Sequence, residues 1–198
     1  GPDVNPRDRS QVIQVIRRNF DPVHDFHLIA RTAADTLDFT GEAVHKGSKM
    51  ILDATAGSSG EGSPTAVALP SNLASMSPFI SKYRLVGRTM LVVQVSDQGR
   101  QVVQRLVDNP LLIGVKIVVA VSDDVDIEVD ESLLWGIFTR FDAVLDVIFS
   151  DTEFRGLAPV YSGVMGIDAT WKQGYQKPLV MDPKIIKKVD SEWSRYSK

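Results

Sequence analysis

The second half of the chain alternates between segments of strand length and segments with helical spacing. Residues 89–95 and 116–121 form largely apolar, β-branched runs, which is typical of strands buried on both faces. A helix over 97–107 lies between them. Its predicted inner face consists of four apolar residues at helical spacing: Val102, Val103, Leu106 and Val107.

The elements that follow keep the same order. Asp130 can N-cap a helix over 131–140, and a strand over 146–149 comes next. Strand–helix–strand–helix–strand order predicts an α/β fold, with a mixed, mainly parallel sheet and flanking helices. A last helix over 183–196 carries an apolar stripe that needs a docking surface: Ile185, Ile186, Val189 and Trp193.

The first part of the chain has the same pattern from its helix onward, with a helix over 7–18 and strands over 26–30 and 49–53. Residues 57–70 are rich in Gly, Ser and Pro, which indicates a loop. We therefore predict three regions. They are a partial first repeat unit at 1–57, a linker at 58–87 and a complete α/β unit at 88–198.

A repeated motif relates the two units. Met-Ile-Leu-Asp-Ala-Thr at 50–55 returns as Met-Gly-Ile-Asp-Ala-Thr at 165–170, an offset of 115 residues. Upstream, matched residues share an offset of 121: Phe20 with Phe141, Asp21 with Asp142, and Asp25 with Asp146. A constant offset followed by a short deletion is what a duplicated unit produces. The chain also starts Gly1-Pro2, as a tag-removing protease leaves it, so we expect a fragment of a longer protein.

Composition narrows the classes of function. The 198 residues carry a net charge of −3, which disfavours nucleic-acid binding because that needs clustered positive charge. No apolar run approaches the roughly 18 residues of a membrane span. The chain has no cysteine, which excludes disulfides and thiol nucleophiles and suits a cytoplasmic protein.

Several polar segments allow two interpretations. The six acids within 123–131 either bind a divalent cation or form a polar strand end and helix start, and we favour the second. The Gly-Ser segment 57–63 either cradles a phosphate or is a linker, and its spacing favours the linker. His24 and His27 are an odd number of positions apart, so we predict no histidine metal site. Aromatic and basic residues after the second Asp-Ala-Thr form either a ligand-facing cluster or a solvated turn: Trp171, Lys172, Tyr175 and Lys177.

Several motifs follow one another in the second unit. They are the strand and acids of 118–126, the Leu-Trp-Gly-Ile-Phe-Thr-Arg of 134–140, Asp146, the Met-Gly-Ile-Asp-Ala-Thr-Trp-Lys of 165–172, and Met181-Asp182-Pro183. In this order they resemble the C-terminal domain of the UbiD-type decarboxylases, the prenylated-flavin-dependent carboxy-lyases of quinone and aromatic-acid metabolism. The doubled unit resembles the longer members of that family, some of which are assigned to menaquinone biosynthesis.

The resemblance implies an enzyme that removes CO2 from an aromatic or α,β-unsaturated acid. The family's Glu-Arg-Glu catalytic set and its prenylated FMN, with a divalent metal and K+, lie in the preceding domains. We therefore expect no catalytic residue, cofactor or metal in this fragment. The resemblance assigns this domain to active-site closure and to dimer contacts with the rest of the decarboxylase, through a terminal helix that reaches a partner copy.

Four residues are candidates to face a ligand: Lys49, Asp53, Asp168 and Lys172. Lys49 is included because the family usually has Ser-Lys before its Asp-Ala-Thr, and the second unit has Gly163-Val164 there. A competing hypothesis is a free-standing assembly or regulatory subunit that derives from such a domain and has no active site.

Overall fold

The computed structural model describes residues 4–55, 66–176 and 179–196, and two β-sheets organise them. Within these ranges the α-helices are α1 (Arg9–Asn19), α2 (Pro22–Asp25), α3 (Gly99–Val107), α4 (Asp130–Phe138), α5 (Ala143–Asp146) and α6 (Pro183–Tyr196). The strands are β1 (Phe26–Ala33), β2 (Lys46–Leu52), β3 (Ile80–Val86), β4 (Met90–Val95), β5 (Ile117–Ser122), β6 (Val147–Arg155) and β7 (Ala158–Ala169). None of the described helices is long and apolar enough to cross a membrane.

The larger sheet has the strand order β3-β4-β5-β7-β6. Its three central strands, β4, β5 and β7, run parallel, and β3 and β6 pair antiparallel at the two edges. The predicted mixed α/β fold is therefore confirmed. The larger sheet is less parallel than predicted, because two of its four strand pairs are antiparallel.

The strand predicted at 146–149 is the source of that difference. It is β6, which continues to Arg155 and turns back into β7 through Gly156 and Leu157. Gly156 has φ +67°, a left-handed conformation that favours glycine and suits a two-residue hairpin. The second parallel neighbour of β5, after β4, is therefore β7.

The segment predicted as a linker, 58–87, contains regular structure in its second half. A short 3-10 helix, Leu73–Ser75, and the edge strand β3 lie there. Three consecutive residues of β3 are exposed, so the strand lacks the clear apolar alternation that reveals a half-buried strand. The larger sheet thus begins near residue 80, before the predicted boundary at 88.

The first segment packs against the second. Its hairpin, β1 and β2, forms a separate two-stranded antiparallel sheet whose apolar face joins the core on one side of the larger sheet. The ring of Phe26 lies 4.8 Å from that of Phe149 and 5.1 Å from that of Tyr161. Ser48 donates from its hydroxyl (2.6 Å) and its backbone N–H (2.8 Å) to the two carboxylate oxygens of Asp142. Helix α3 covers the opposite side of the larger sheet.

The element order of the first segment matches that of the second. Starts of α1, α2 and β1 lie 121 positions before the starts of α4, α5 and β6, the offset at which the sequences match. In both segments an aspartate accepts the backbone N–H of the residue four positions before it, at 2.8 Å: Asp25 from Asp21, and Asp146 from Asp142. A common origin of the two segments stays a prediction.

Candidate functional site

The carboxyl ends of β4, β5 and β7 meet at one edge of the larger sheet, the place where open α/β sheets bind ligands. An open cleft of about 310 Å³ lies there. Its lining includes three acids, the last residue of the second repeat motif and the tryptophan after it: Asp97, Asp123, Asp124, Thr170 and Trp171.

Asp168 closes a tight turn at the end of β7. Its Oδ1 accepts the backbone N–H of Thr170 at 3.1 Å and the Thr170 hydroxyl at 2.6 Å, and both residues are buried. A Cβ atom on Gly99 would lie 2.5 Å from this Oδ1, so the first turn of α3 sits directly against the carboxylate. The positive end of the α3 dipole therefore favours the negative charge of Asp168.

Lys172 folds back over the same strand end. Its Nζ donates to three carbonyl oxygens, those of Arg140 (3.0 Å), Asp168 (2.8 Å) and Thr170 (3.3 Å). The ammonium also lies 3.3 Å from Oδ1 of Asp146 and 4.0 Å from Oδ2 of Asp168. Its hydrogen-bonding capacity of three donors is therefore used within the protein.

Asp146 is the buried carboxylate beneath this lysine, and it is 5% exposed. Burial raises its pKa above the usual value for aspartate, and this outweighs the opposing effects of the Asp142 N–H and of Lys172. The pair thus belongs to the interior of the protein more than to the open cleft.

Arg140 joins the cleft to this interior. Its guanidinium forms two hydrogen bonds of 2.7 Å with the carboxylate of Asp124, and it lies 4.5 Å from the centre of the Trp171 ring. The hydrogen bonds from Arg140 hold the pKa of Asp124 below its usual value. A bidentate, ring-stacked arginine of this kind fixes the geometry of its partners.

An aromatic group covers the lysine and includes a residue of the first segment. The Phe39 ring lies 4.9 Å from that of Tyr175, and the Trp171 ring lies 5.8 Å from that of Tyr175. Burial, followed by the nearby carboxylates, raises the pKa of Tyr175 far above its usual value. Tyr175 therefore stays protonated at neutral pH.

Lys49 and Asp53 lie elsewhere, on and just beyond β2 of the two-stranded sheet. Asp53 accepts the backbone N–H of Thr55 at 2.8 Å and its hydroxyl at 2.7 Å, and these bonds lower the pKa of Asp53. The Lys49 side chain is exposed. The structure thus brings Asp168 and Lys172 together and leaves Lys49 and Asp53 on another surface, and a ligand contact of either pair stays a prediction.

Within the described residues, three of the six acids of 123–131 form ion pairs with arginines. Asp124 pairs with Arg140, Asp130 with Arg84 at 2.9 Å, and Glu131 with Arg9 at 3.0 Å. Helix α4 includes Asp130 in its first turn, so the predicted N-cap is wrong by one position: Val129 holds that place. In the part of the chain that is described, no group of three or more acids and histidines is placed to hold a metal ion.

The sequence did not predict three members of this cluster: Phe39, Arg140 and Asp146. The repeat offset singles out Asp146 as a matched aspartate. Nothing local in the sequence connects Phe39 to Trp171 and Tyr175, because that contact depends on how the two segments dock. The Gly-Ser segment 57–63 and Lys177 lie outside the described residues.

The terminal helix has the bounds predicted for it, and none of its described residues is buried. Ile185, Ile186 and Val189 of its apolar stripe are 49%, 44% and 41% exposed, and Trp193 is 61% exposed. The stripe therefore finds no full cover within the described residues.

Residues 1–54 and 79–169 match the family model described as the 3-octaprenyl-4-hydroxybenzoate carboxy-lyase C-terminal domain. This chain belongs to the UbiD C-terminal domain family. The match includes both Asp-Ala segments and begins its second stretch at the edge strand β3, in agreement with the fold.

Among the relatives of this UbiD C-terminal domain is a protein of Chlamydia pneumoniae that is named as a 4-hydroxybenzoate decarboxylase subunit. It is 28% identical over 200 residues, which cover 96% of this chain and 32% of that protein. An uncharacterized protein of Chlamydia trachomatis is 30% identical over 182 residues, covering 91% of this chain and 30% of that one. The chain thus spans about a third of the length of these relatives.

Solved structures of UbiD-class enzymes are similar at lower identity. Vanillic acid decarboxylase of Sedimentibacter hydroxybenzoicus in its closed form gives a TM-score of 0.47 at 19% identity, over 64% of this chain and 30% of that one. The enzyme HmfF of Pelotomaculum thermopropionicum, in complex with FMN, gives 0.45 at 22% identity, over 59% and 29%.

The cleft of this UbiD C-terminal domain does not fit the flavin that the family implies. A flavin mononucleotide carries an anionic phosphate, and the charged residues that line the cleft are Asp97, Asp123 and Asp124. Carboxylates at this position repel a phosphate.

Proposed function

We propose that this chain is the C-terminal part of a UbiD-type carboxy-lyase that acts on an aromatic or α,β-unsaturated acid, with quinone or menaquinone biosynthesis as the setting of the intact enzyme. The observation that carries the proposal is the family match over residues 1–54 and 79–169. The name of the Chlamydia pneumoniae relative, a 4-hydroxybenzoate decarboxylase subunit, supports an aromatic acid as the substrate class.

The role of this part in the enzyme is closure and assembly. Lys172 donates to backbone carbonyls and pairs with Asp146 and Asp168, an arrangement that holds a strand end and does not leave a reactive group exposed. In this proposal the rest of the decarboxylase holds prenylated FMN, its divalent metal and K+, in the cytoplasm.

Decarboxylation by the full-length protein tests the proposal. The full-length protein, loaded with prenylated FMN, should release CO2 from at least one member of a panel of aromatic and α,β-unsaturated acids, and residues 1–198 alone should release none. CO2 release by residues 1–198 alone would contradict the assignment. A full-length protein that binds no flavin would favour a non-catalytic assembly subunit.

The terminal helix supplies the assembly part of the proposal, as a contact between two copies of the enzyme. Support comes from the exposure of Ile185, Ile186 and Val189 on a helix that the main core does not cover. Replacing Ile186 and Val189 by Asp in the full-length protein should lower its oligomeric state in light scattering, because charge at a buried contact is costly.

Lys187→Asp is the matched control, since Lys187 lies on the same helix outside the apolar stripe. It introduces the same carboxylate and should leave the oligomer intact. An unchanged oligomer in the Ile186→Asp, Val189→Asp variant would show that α6 docks within its own chain.

A further inference from the structure

Among the residues that the structure describes, strand β2 pairs with a strand along one edge only. Its register with β1 is antiparallel, with Met50 opposite Leu28 and Leu52 opposite Phe26. The N–H of Asp53 donates to the carbonyl of Asp25, so this neighbouring pair is a hydrogen-bonded one. Because such pairs alternate along an antiparallel ladder, the N–H and C=O groups of Met50 and Leu52 point away from β1.

No strand of the described residues pairs with that outer edge, since β1 and β2 form a two-stranded sheet. One backbone group that points outward from β2, the N–H of Ser48, donates to Asp142 of the second segment. The side chains of Met50 and Leu52 face the core and are partly buried. An edge whose backbone groups have no strand partner among the described residues, next to an Ile51 at 50% exposure, is a template for another strand.

The second segment shows what such an edge accepts. Met165 and Ile167 of β7 are the counterparts of Met50 and Leu52, and their outward groups face β5. The N–H of Met165 donates to the carbonyl of Lys116 at 3.0 Å, and β5 continues in parallel from there. In the second segment, the strand that carries the motif pairs with its hairpin partner β6 in the same register. Its other edge pairs with the parallel strand β5.

Resting on the proposed function, we propose that the outer edge of β2, at Met50–Leu52, is a docking site for one parallel β-strand of the intact enzyme. At the offset of 121 residues, the counterpart of Ser122, where β5 ends, is position 1, eight residues before α1 begins at Arg9. The relatives are about three times as long as the chain, so they have residues to supply the strand.

The occupant has a defined chemistry. A strand placed between β2 and further structure is covered on both faces, so it should be a run of about five apolar, mostly β-branched residues, as parallel strands are. Ile51 stands where β7 has Gly166, whose absent Cβ makes room for Val103 of α3. Any helix on this face of the new strand pair must therefore lie farther from β2 than α3 lies from β7.

Amide hydrogen exchange at single-residue resolution tests the proposal in the full-length protein. Free edge amides exchange readily, whereas amides within a sheet exchange slowly. The amides of Met50 and Leu52 should be protected to within about tenfold of the matched controls Met165 and Ile167. In residues 1–198 alone, Met50 and Leu52 should exchange at least about a hundredfold faster than the same controls.

Two results would overturn the proposal. One is fast exchange of Met50 and Leu52 in the full-length protein while Met165 and Ile167 stay protected. The other is equal protection in residues 1–198 that grows with protein concentration, which would assign the edge to a second copy. Exchange does not depend on decarboxylation, so the outcome is separate from the test of the proposed function.

Discussion

Asp53 and Asp168 each end a strand, and each accepts both the backbone N–H and the hydroxyl of the threonine two positions later. The geometry of the two turns is almost the same, but Asp168 is 6% exposed and Asp53 is only half-buried. Three residues thus determine the turn, because an aspartate and a threonine at this spacing satisfy each other. The burial of the turn is determined by the elements around it.

Those surroundings differ next to the turn, in packing at Gly166 and Ile51 and in residue type at Lys172, whose counterpart is Gly57. Gly166 packs under α3, whereas its counterpart Ile51 is half exposed. Lys172 caps the second turn from the carboxyl side, and its 115-residue counterpart falls outside the described residues. The same motif can therefore form a buried turn or a turn that is only half-buried.

Gly166→Ile introduces the residue found at the matching position of the first segment, Ile51, and should disrupt the packing of α3 on β7. A Cβ atom there would lie 2.4 Å from Val103 Cγ1 and 2.9 Å from Ile148 Cγ1. Overpacking of this kind should lower the free energy of unfolding by about 3 kcal/mol, measured by urea denaturation. The reverse change, Ile51→Gly, should cost about 1 kcal/mol, since it removes a half-exposed side chain and adds chain entropy. Equal losses in the two variants would contradict the close packing of α3 on β7.

Lys172→Met should have the next largest effect. The methionine keeps the apolar stem but leaves the buried Asp146 and Asp168 without their ammonium. Removing one partner of a buried pair costs about 3 kcal/mol or more, and the quarter exposure of Lys172 reduces the expected loss to about 2 kcal/mol at pH 7.

Lys49→Met is the matched control for that variant. Lys49 is exposed on β2, and exposed charges contribute little to folding, so its loss should change the urea midpoint hardly at all. If both lysine variants lose the same free energy of unfolding, the hydrogen bonds of Lys172 to the strand-end carbonyls make no net contribution to stability.

The elements of the fold were predictable where the apolar pattern was strong. The helix bounds at Pro183–Tyr196 and the buried run of β5 follow from periodicity alone. Edge strand β3 was not predictable in this way, because three consecutive exposed residues leave no clear alternation. The antiparallel direction of β6 depended on recognising the turn at Gly156.

The candidate site shows the same limit. Asp168 and Lys172 were candidates from the motif at 165–172, but their mutual contact was not predicted. Arg140 and Phe39 could not be predicted as members of the site, because their contacts with Trp171 and Tyr175 join residues far apart in sequence. The Phe39 contact is set by the docking of the two segments, and the Arg140 contact by the packing of elements within the second segment.

The smallest expected effect is a pH dependence that separates two carboxylates of the second segment. Burial raises the pKa of Asp146 above its ordinary 3.8, so the folded protein holds that proton more tightly than the unfolded chain does. Its contribution to stability is therefore fully present below about pH 3.8 and is lost as the pH rises through the folded pKa. Relative to Asp146→Asn, the wild type should lose free energy of unfolding as the pH rises over this interval.

Asp124→Asn should show the opposite sign. Hydrogen bonds from Arg140 lower the pKa of Asp124, so its contribution is present above about pH 3.8 and is lost as the pH falls through the folded pKa. Urea denaturation of both variants and the wild type from pH 3 to 7 measures the two slopes. Opposite signs would show that burial controls the pKa of Asp146, whereas the arginine controls the pKa of Asp124. Equal signs would show that Lys172 neutralises Asp146 as fully as Arg140 neutralises Asp124.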